Sequence, residues 1–152
     1  MEEKIEMIEA HIFREKGGSL EFLLLKRSKA EIYPGLWQMV TGSVEAGEKA
    51  PEAAIREIKE ETGLSPRRLW TVPHINSFYS VWKDKIIFIP VFAALTNAEE
   101  ILLSEEHVEF AWFPPDKAIE LLAWEGQRKS VKIITDYYLY RREFLDMLEI
   151  KL

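Results

Sequence analysis

The chain has no cysteine among its 152 residues. That absence excludes disulfide staples, a thiolate nucleophile and any zinc site built on cysteine. Side-chain amides are scarce, with only Asn76, Asn97, Gln38 and Gln127, while Glu, Lys and Ile are plentiful, the balance found in heat-adapted proteins. No apolar run is long enough to span a bilayer, and the acidic start MEEKIEMIEAHIF passes straight into an alternating pattern unlike a signal peptide. The expectation is a cytoplasmic protein with no membrane partner. Positive charge is in deficit as well: 20 Lys and Arg against 26 Asp and Glu leave a net charge of −6. Such a surface does not track a nucleic-acid polymer, yet a metal and a few placed cations can still serve a small phosphorylated ligand. Glycine-rich nucleotide loops are missing too, since Gly42 and Gly47 fit neither the P-loop nor the dinucleotide fingerprint.

What is present is enough apolar material, 47% of residues, for the core of one domain over residues 1–152. There is no internal repeat, low-complexity tract or linker. Hydrophobic alternation predicts strands over Lys4 to Phe13, Leu20 to Lys26 after the Gly17-Gly18 turn, Leu36 to Thr41, Leu69 to Trp82, Lys85 to Leu95 after a turn at Lys83-Asp84, and Glu109 to Phe113. Pro114-Pro115 then stops the sheet, and helices are predicted over Asp116 to Ala123 and Gln127 to Leu148, split at Gly126. Strands on both sides of one helix, followed by helices, indicate an α/β fold with a mixed sheet covered on both faces. The last helix carries two adjacent apolar seams, Ile133, Tyr137, Tyr140, Phe144 and Ile134, Tyr138, Leu145, Leu148. That stripe is broader than one sheet contact needs, so it reads as core, with a homodimer contact or a pocket wall as the alternatives.

The chemistry is concentrated in Gly42 to Leu64, GSVEAGEKAPEAAIREIKEETGL. Pro51 suits a first helical turn and Gly63 a left-handed cap just past the end. Glu57, Glu60 and Glu61 then sit at i, i+3 and i+4, on one side of the helix. Converging carboxylates repel one another unless a cation neutralises them, and an all-oxygen set suits Mg²⁺ or Mn²⁺. Arg56 lies four residues from both Glu52 and Glu60, the spacing at which opposite charges on a helix meet.

These residues resemble the Nudix box: Gly, five residues, Glu, seven residues, then Arg-Glu-apolar-any-Glu-Glu-any-Gly-apolar. Gly42, Glu48, Arg56, Glu57, Ile58, Glu60, Glu61, Gly63 and Leu64 match every position. The resemblance implies an α/β/α sandwich and Mg²⁺-dependent hydrolysis of a nucleoside diphosphate linked to another group. It implies that Glu57 and Glu61 are metal ligands and that Glu60 is a further ligand or a base for water. It also implies that Arg56 orients the carboxylates, that Gly42 and Glu48 support the site, and that the Thr41 carbonyl adds a ligand. Many family members carry Pro-Gly-Gly where this chain has Val40-Thr41-Gly42, a departure that bears on the substrate subgroup.

WQMVTGSVEAGE, from Trp37, and EEHVEFAWF, from Glu105, resemble the bacterial dATP pyrophosphohydrolases that also act on dihydroneopterin triphosphate. In that subgroup a Glu-His pair precedes the last strand, which places Glu106 at the metal site and leaves His107 as a packing or loop residue. The expected reaction is release of pyrophosphate from a nucleoside or pterin triphosphate. Hydrolysis of dinucleoside polyphosphates or nucleotide sugars and nucleotide sensing without turnover are the alternatives. Lys26 and Arg27, ending the second strand, are candidate phosphate contacts. Trp37, Tyr33, Phe78, Tyr79 and Trp82 offer flat faces to a ring, and Trp37 is the substrate-binding candidate among them.

Overall fold

In the computed structural model, which describes residues 4–152, the strands form one mixed sheet. The first three residues of the acidic start lie outside the described part. Strands β1 (Met7–Lys16) and β6 (Lys85–Leu95) run parallel at its centre, with Glu9 opposite Val91 and Phe13 opposite Leu95. The other flank of β1 pairs antiparallel with β2 (Ser19–Arg27) near the Gly17-Gly18 turn and with β4 (Val40–Ser43) nearer its start. β2 also pairs with β3 (Trp37–Gln38) and β7 (His107–Phe113). Beyond β6 lie β5 (Arg68–Ser80) and the short β8 (Glu149–Ile150).

Alternation on the central strands sends side chains into two cores. Ile8, Ala10, Ile12, Phe92 and Ala94 pack with Ala53, Ala54 and Ile58 of α1 (Ala50–Thr62) on one face. Phe13, Phe22, Leu24, Val91 and Ala93 pack on the opposite face. There they meet α2 (Pro115–Leu121), α3 (Glu125–Tyr140) and α4 (Arg142–Asp146) through Ala118, Val131, Ile134, Tyr138 and Leu145. The sheet is therefore sandwiched, as the order of elements predicts, and β1 reads almost continuously buried because both its faces are covered. Each large apolar side chain taken fully out of water there is worth about 1.5–3 kcal/mol before the entropy of ordering it. No described helix is long and apolar enough to cross a membrane.

Several boundaries differ from expectation for local reasons. The first strand runs on to Lys16 because the two glycines, both at positive φ, fold the chain straight back into β2. Leu36 to Thr41 is two strands, since the chain leaves β2 after Gln38 and joins β1 from Val40, with Met39 buried between them. Trp82 lies beyond β5 in the turn, 97% exposed. β7 starts at His107, so Glu109 is inside the strand and exposed.

Gly126 is not itself in the gap between the last helices but sits in the first turn of α3, where a Cβ would fall 1.9 Å from Asn76 Oδ1. A glycine is needed there for close approach rather than for a break. The predicted separation of the helices falls just before it, at Leu122 to Trp124, and a second break comes at Arg141; Ile134, Tyr138 and Leu145 are core, while Tyr140 and Phe144 face solvent.

Glu9 and His11 share the α3 face of β1 and are buried with a mutual hydrogen bond of 2.6 Å. Ser130 and Asn76 donate further hydrogen bonds to Glu9, at 2.9 and 3.0 Å. Burial pushes the Glu9 carboxyl up, but the hydrogen bonds and charge of His11, with Asn76 and Ser130, outweigh it and hold it below its ordinary 4.5. A depressed carboxyl adds stability above its unfolded pKa that is lost as pH falls through the lower folded value. The melting temperature of the wild type is therefore expected to fall more steeply than that of Glu9→Gln as pH drops below 4.5. Parallel profiles in calorimetry would contradict it.

Candidate active site

The carboxylates are placed by a helix whose two ends are set locally. Lys49 is extended and its backbone N–H donates to the Glu52 side chain at 2.9 Å, Pro51 occupies the first turn, and Gly63 at φ 76° returns its N–H to the Lys59 carbonyl. Because Glu52 turns to the helix start, the expected Arg56–Glu52 pair is not made. Ala53, Ala54, Ile58 and Thr62 face the core. The opposite side presents Arg56, Glu57 and Glu60.

Arg56 organises that side. It donates twice to Glu48, at 2.8 and 3.0 Å, once each to Glu57 at 2.8 Å and Glu60 at 3.3 Å, and once to the Ser43 carbonyl at 2.8 Å. Glu48 also accepts from the Glu45 backbone at 3.0 Å, so its carboxyl is held below the ordinary range, first by Arg56 and then by that N–H. Gly42 follows Thr41 on β4 and lies directly against Glu57: a Cβ built on it would be 2.2 Å from the Glu57 carboxyl carbon. Thr41 is fixed in turn by a 3.0 Å hydrogen bond from its hydroxyl to the Ile8 carbonyl.

Glu61 is different. It is 2% exposed, and neither of its carboxyl oxygens has a hydrogen-bond partner. Burial, and then the charges of Glu57 and Glu106, push it up to about 9. Glu106 is raised as well, by burial first and then by Glu31 and Glu57, with Arg27 acting the other way. His107 Nδ1 lies 3.7 Å from Glu61 Oε1, and Glu61, Glu106 and His107 each bring a ligand atom within 4.8 Å of the others. Burial and the nearby Arg27 lower His107 to about 4, so it is neutral at pH 7.

Two orphaned, buried carboxylate oxygens among other carboxylates are costly without a cation. The donor set, mainly carboxylate oxygen, therefore fits the divalent metal expected from the sequence.

The loop after β2 closes over this corner. The Ser28 N–H donates to the Glu106 carbonyl at 2.9 Å, while Arg27 donates to the Ile32 carbonyl at 2.7 Å and pairs with Glu31 at 3.3 Å. Arg27 is thus near the carboxylates but already engaged. Lys26 stands 3.9 Å from Glu109 and 5.8 Å from the Trp37 ring, and Trp37 packs edge-on against Phe113. Tyr33, in the same loop, meets Trp124 edge-on at 5.8 Å.

The structure brings Glu106 beside Glu61 of the box helix. His107 is packed, with a 2.9 Å hydrogen bond to Gln38, yet it also stands in the cluster beside Glu61 and Glu106. Its place depends on pairing between β2, β3 and β7, which no local pattern encodes. A surface cavity of about 460 Å³ near Arg68, Asp146 and Glu149 lies elsewhere, and Arg68 pairs with both of those carboxylates.

The NUDIX domain model matches residues 8–135, and the chain belongs to that family. It is a Nudix hydrolase by its domain and relatives. It is 34% identical over 113 residues to the asymmetrical bis(5'-nucleosyl)-tetraphosphatase of Caenorhabditis elegans, covering 72% of this chain and 79% of that protein. It is 28% identical over 110 residues to the nucleoside triphosphatase NudI of Escherichia coli, covering 67% and 78%. A 31% match to an octanoyltransferase of Myxococcus xanthus covers 82% of this chain but only 35% of that protein. The solved E. coli dihydroneopterin triphosphate pyrophosphohydrolase shares the fold, with a TM-score of 0.73, 23% identity and coverage of 88% and 98%.

Gly42→Ala is expected to leave the fold intact but displace Glu57, lowering kcat by about 10²-fold, the scale of an ångström-sized misplacement in an active site. Unchanged turnover would separate Glu57 from the chemistry.

Proposed function

We propose that the protein is a Mg²⁺-dependent (or Mn²⁺-dependent) pyrophosphohydrolase that cleaves a nucleoside or pterin triphosphate to the monophosphate and pyrophosphate. The observation that carries the metal reading is the pair of unpartnered Glu61 oxygens beside Glu106 and Glu57. Glu57 and Glu61, with Glu60 and the Thr41 carbonyl, would hold the cation. When bound, it neutralises phosphate charge and acidifies a coordinated water.

The side chains do the rest. Arg56 keeps Glu57 and Glu60 in fixed rotamers, with Glu48 anchoring the guanidinium and Gly42 leaving room for Glu57. Glu106 takes the proton of the attacking water, whose oxygen forms the new bond to phosphorus. The bond between the α- and β-phosphates breaks and pyrophosphate leaves. Lys26 and Arg27 meet the phosphates, exchanging Glu109 and Glu31 for them, and Trp37 packs against the ring. Glu60 is the alternative base. The reaction is placed in the cytoplasm, and a homodimer would use the exposed Tyr140 and Phe144.

The subgroup reading rests on Trp37 to Glu48 and Glu105 to Phe113. A second reading, hydrolysis of dinucleoside polyphosphates, is favoured by the 34% identity to the worm tetraphosphatase. A panel of dATP, other nucleoside triphosphates, dihydroneopterin triphosphate and diadenosine tetraphosphate, assayed for pyrophosphate and nucleotide products, separates them. Preferred cleavage of the tetraphosphate would select the second reading, and binding without turnover would make the chain a sensor.

Turnover is expected to vanish in EDTA and return with Mg²⁺. Glu57→Gln, Glu60→Gln and Glu61→Gln are each expected to lower kcat by on the order of 10²-fold or more, since each removes a charge and nearly keeps shape. Wild-type rates in all three would return these residues to a solvated helix face.

Glu106→Gln is expected to lower kcat far more than Glu105→Gln or Glu109→Gln, with little change in KM. A larger loss at Glu105 or Glu109 would overturn the placement of Glu106 and weaken the pterin and dATP reading.

A further inference from the structure

We infer that His107 is a positioning residue for Glu61, fixed by Gln38 in the tautomer that carries its proton on Nδ1, so that its N–H faces the buried carboxylate. The inference rests on the reading of Glu61 as a metal ligand. Gln38 and His107 lie on β3 and β7, which flank β2, where the register sets Gln38 opposite Leu25 and His107 opposite Arg27. Both side chains are buried, and the contact runs from Gln38 Nε2 to His107 Nε2 at 2.9 Å.

An amide nitrogen only donates, so with the Gln38 amide turned this way the His107 Nε2 it meets is the acceptor. In a neutral imidazole the proton is then on Nδ1. Nδ1 has no hydrogen-bond partner and stands 3.7 Å from Glu61 Oε1, itself unpartnered. That separation is too long for a hydrogen bond. A small rotation of Glu61 would close it. His107 then occupies one oxygen and leaves the other free for a cation.

The opposite tautomer would have another consequence. With the proton on Nε2, the Nδ1 lone pair would face Glu61 and compete with it as a nitrogen ligand. Gln38 is therefore the residue that keeps His107 a donor. This is the relation of an outer-shell group to a metal ligand, and removing such a group typically costs 10–100-fold in affinity.

The test uses the full chain with Mn²⁺ as the probe. Long-range ¹H–¹⁵N correlation spectra of the metal-free protein are expected to show His107 protonated on Nδ1. In Gln38→Glu the introduced carboxylate accepts from Nε2, so the ring is expected to switch tautomer. Mn²⁺ affinity by titration is expected to fall about 10–100-fold, while the melting temperature changes little. His107→Asn, which keeps a short donor, is expected to bind Mn²⁺ better than His107→Val.

A wild-type ring protonated on Nε2 overturns the inference whether or not metal binds. Direct ¹⁴N coupling from His107 to bound Mn²⁺ also overturns it, by making the ring a ligand. So does unchanged Mn²⁺ affinity in a Gln38→Glu protein that has switched tautomer. Failure of the wild type to bind Mn²⁺ at all removes the metal reading itself, an outcome the metal-free spectrum keeps distinct.

Discussion

The geometry of the candidate active site depends on one guanidinium. Arg56 holds Glu48, Glu57, Glu60 and the Ser43 carbonyl at once, tying α1 to the loop before it and to the end of β4. Exposed ion pairs are worth about 0–1 kcal/mol each, so its value is not mainly in stability. A planar fork with fixed donor directions sets where each carboxylate points. Lysine at the same position would supply charge without that geometry.

Glu61 is left outside this network, and both its oxygens are without hydrogen-bond partners. Glu57 and Glu106 add like charge to its field, and the ring nitrogen 3.7 Å away is that of a neutral histidine. The fold retains this costly arrangement because Ile58 and Thr62 anchor the inner side of the same helix in the core. Such local frustration inside an otherwise consistent structure is the usual mark of a functional site.

The box helix was legible from sequence because everything that forms it lies within a few residues: Pro51 and Gly63 at its ends, and Arg56, Glu57, Glu60 and Glu61 on adjoining positions. The layered sheet was legible too, since alternation on β1 and β6 separates the two cores. Glu9 and His11 were harder. On an alternating strand they resemble a solvated face, and only Ser130 and Asn76, brought by distant elements, make their burial tolerable. Gly126 misled for a related reason: glycine commonly interrupts helices, whereas here it admits Asn76. The Gln38–His107 contact spans three strands and leaves no local trace.

The parallel pairing of β1 with β6 also bears on how the molecule assembles. The capped helix can form from its own neighbourhood, but Glu106 and His107 reach it only after β7 has found β2 from far along the chain. Contacts of such long separation carry the largest closure entropy and form slowly. A nascent chain thus acquires a helical, self-repelling string of glutamates before Glu106 and His107 enclose it, so the complete cluster is a late property of folding.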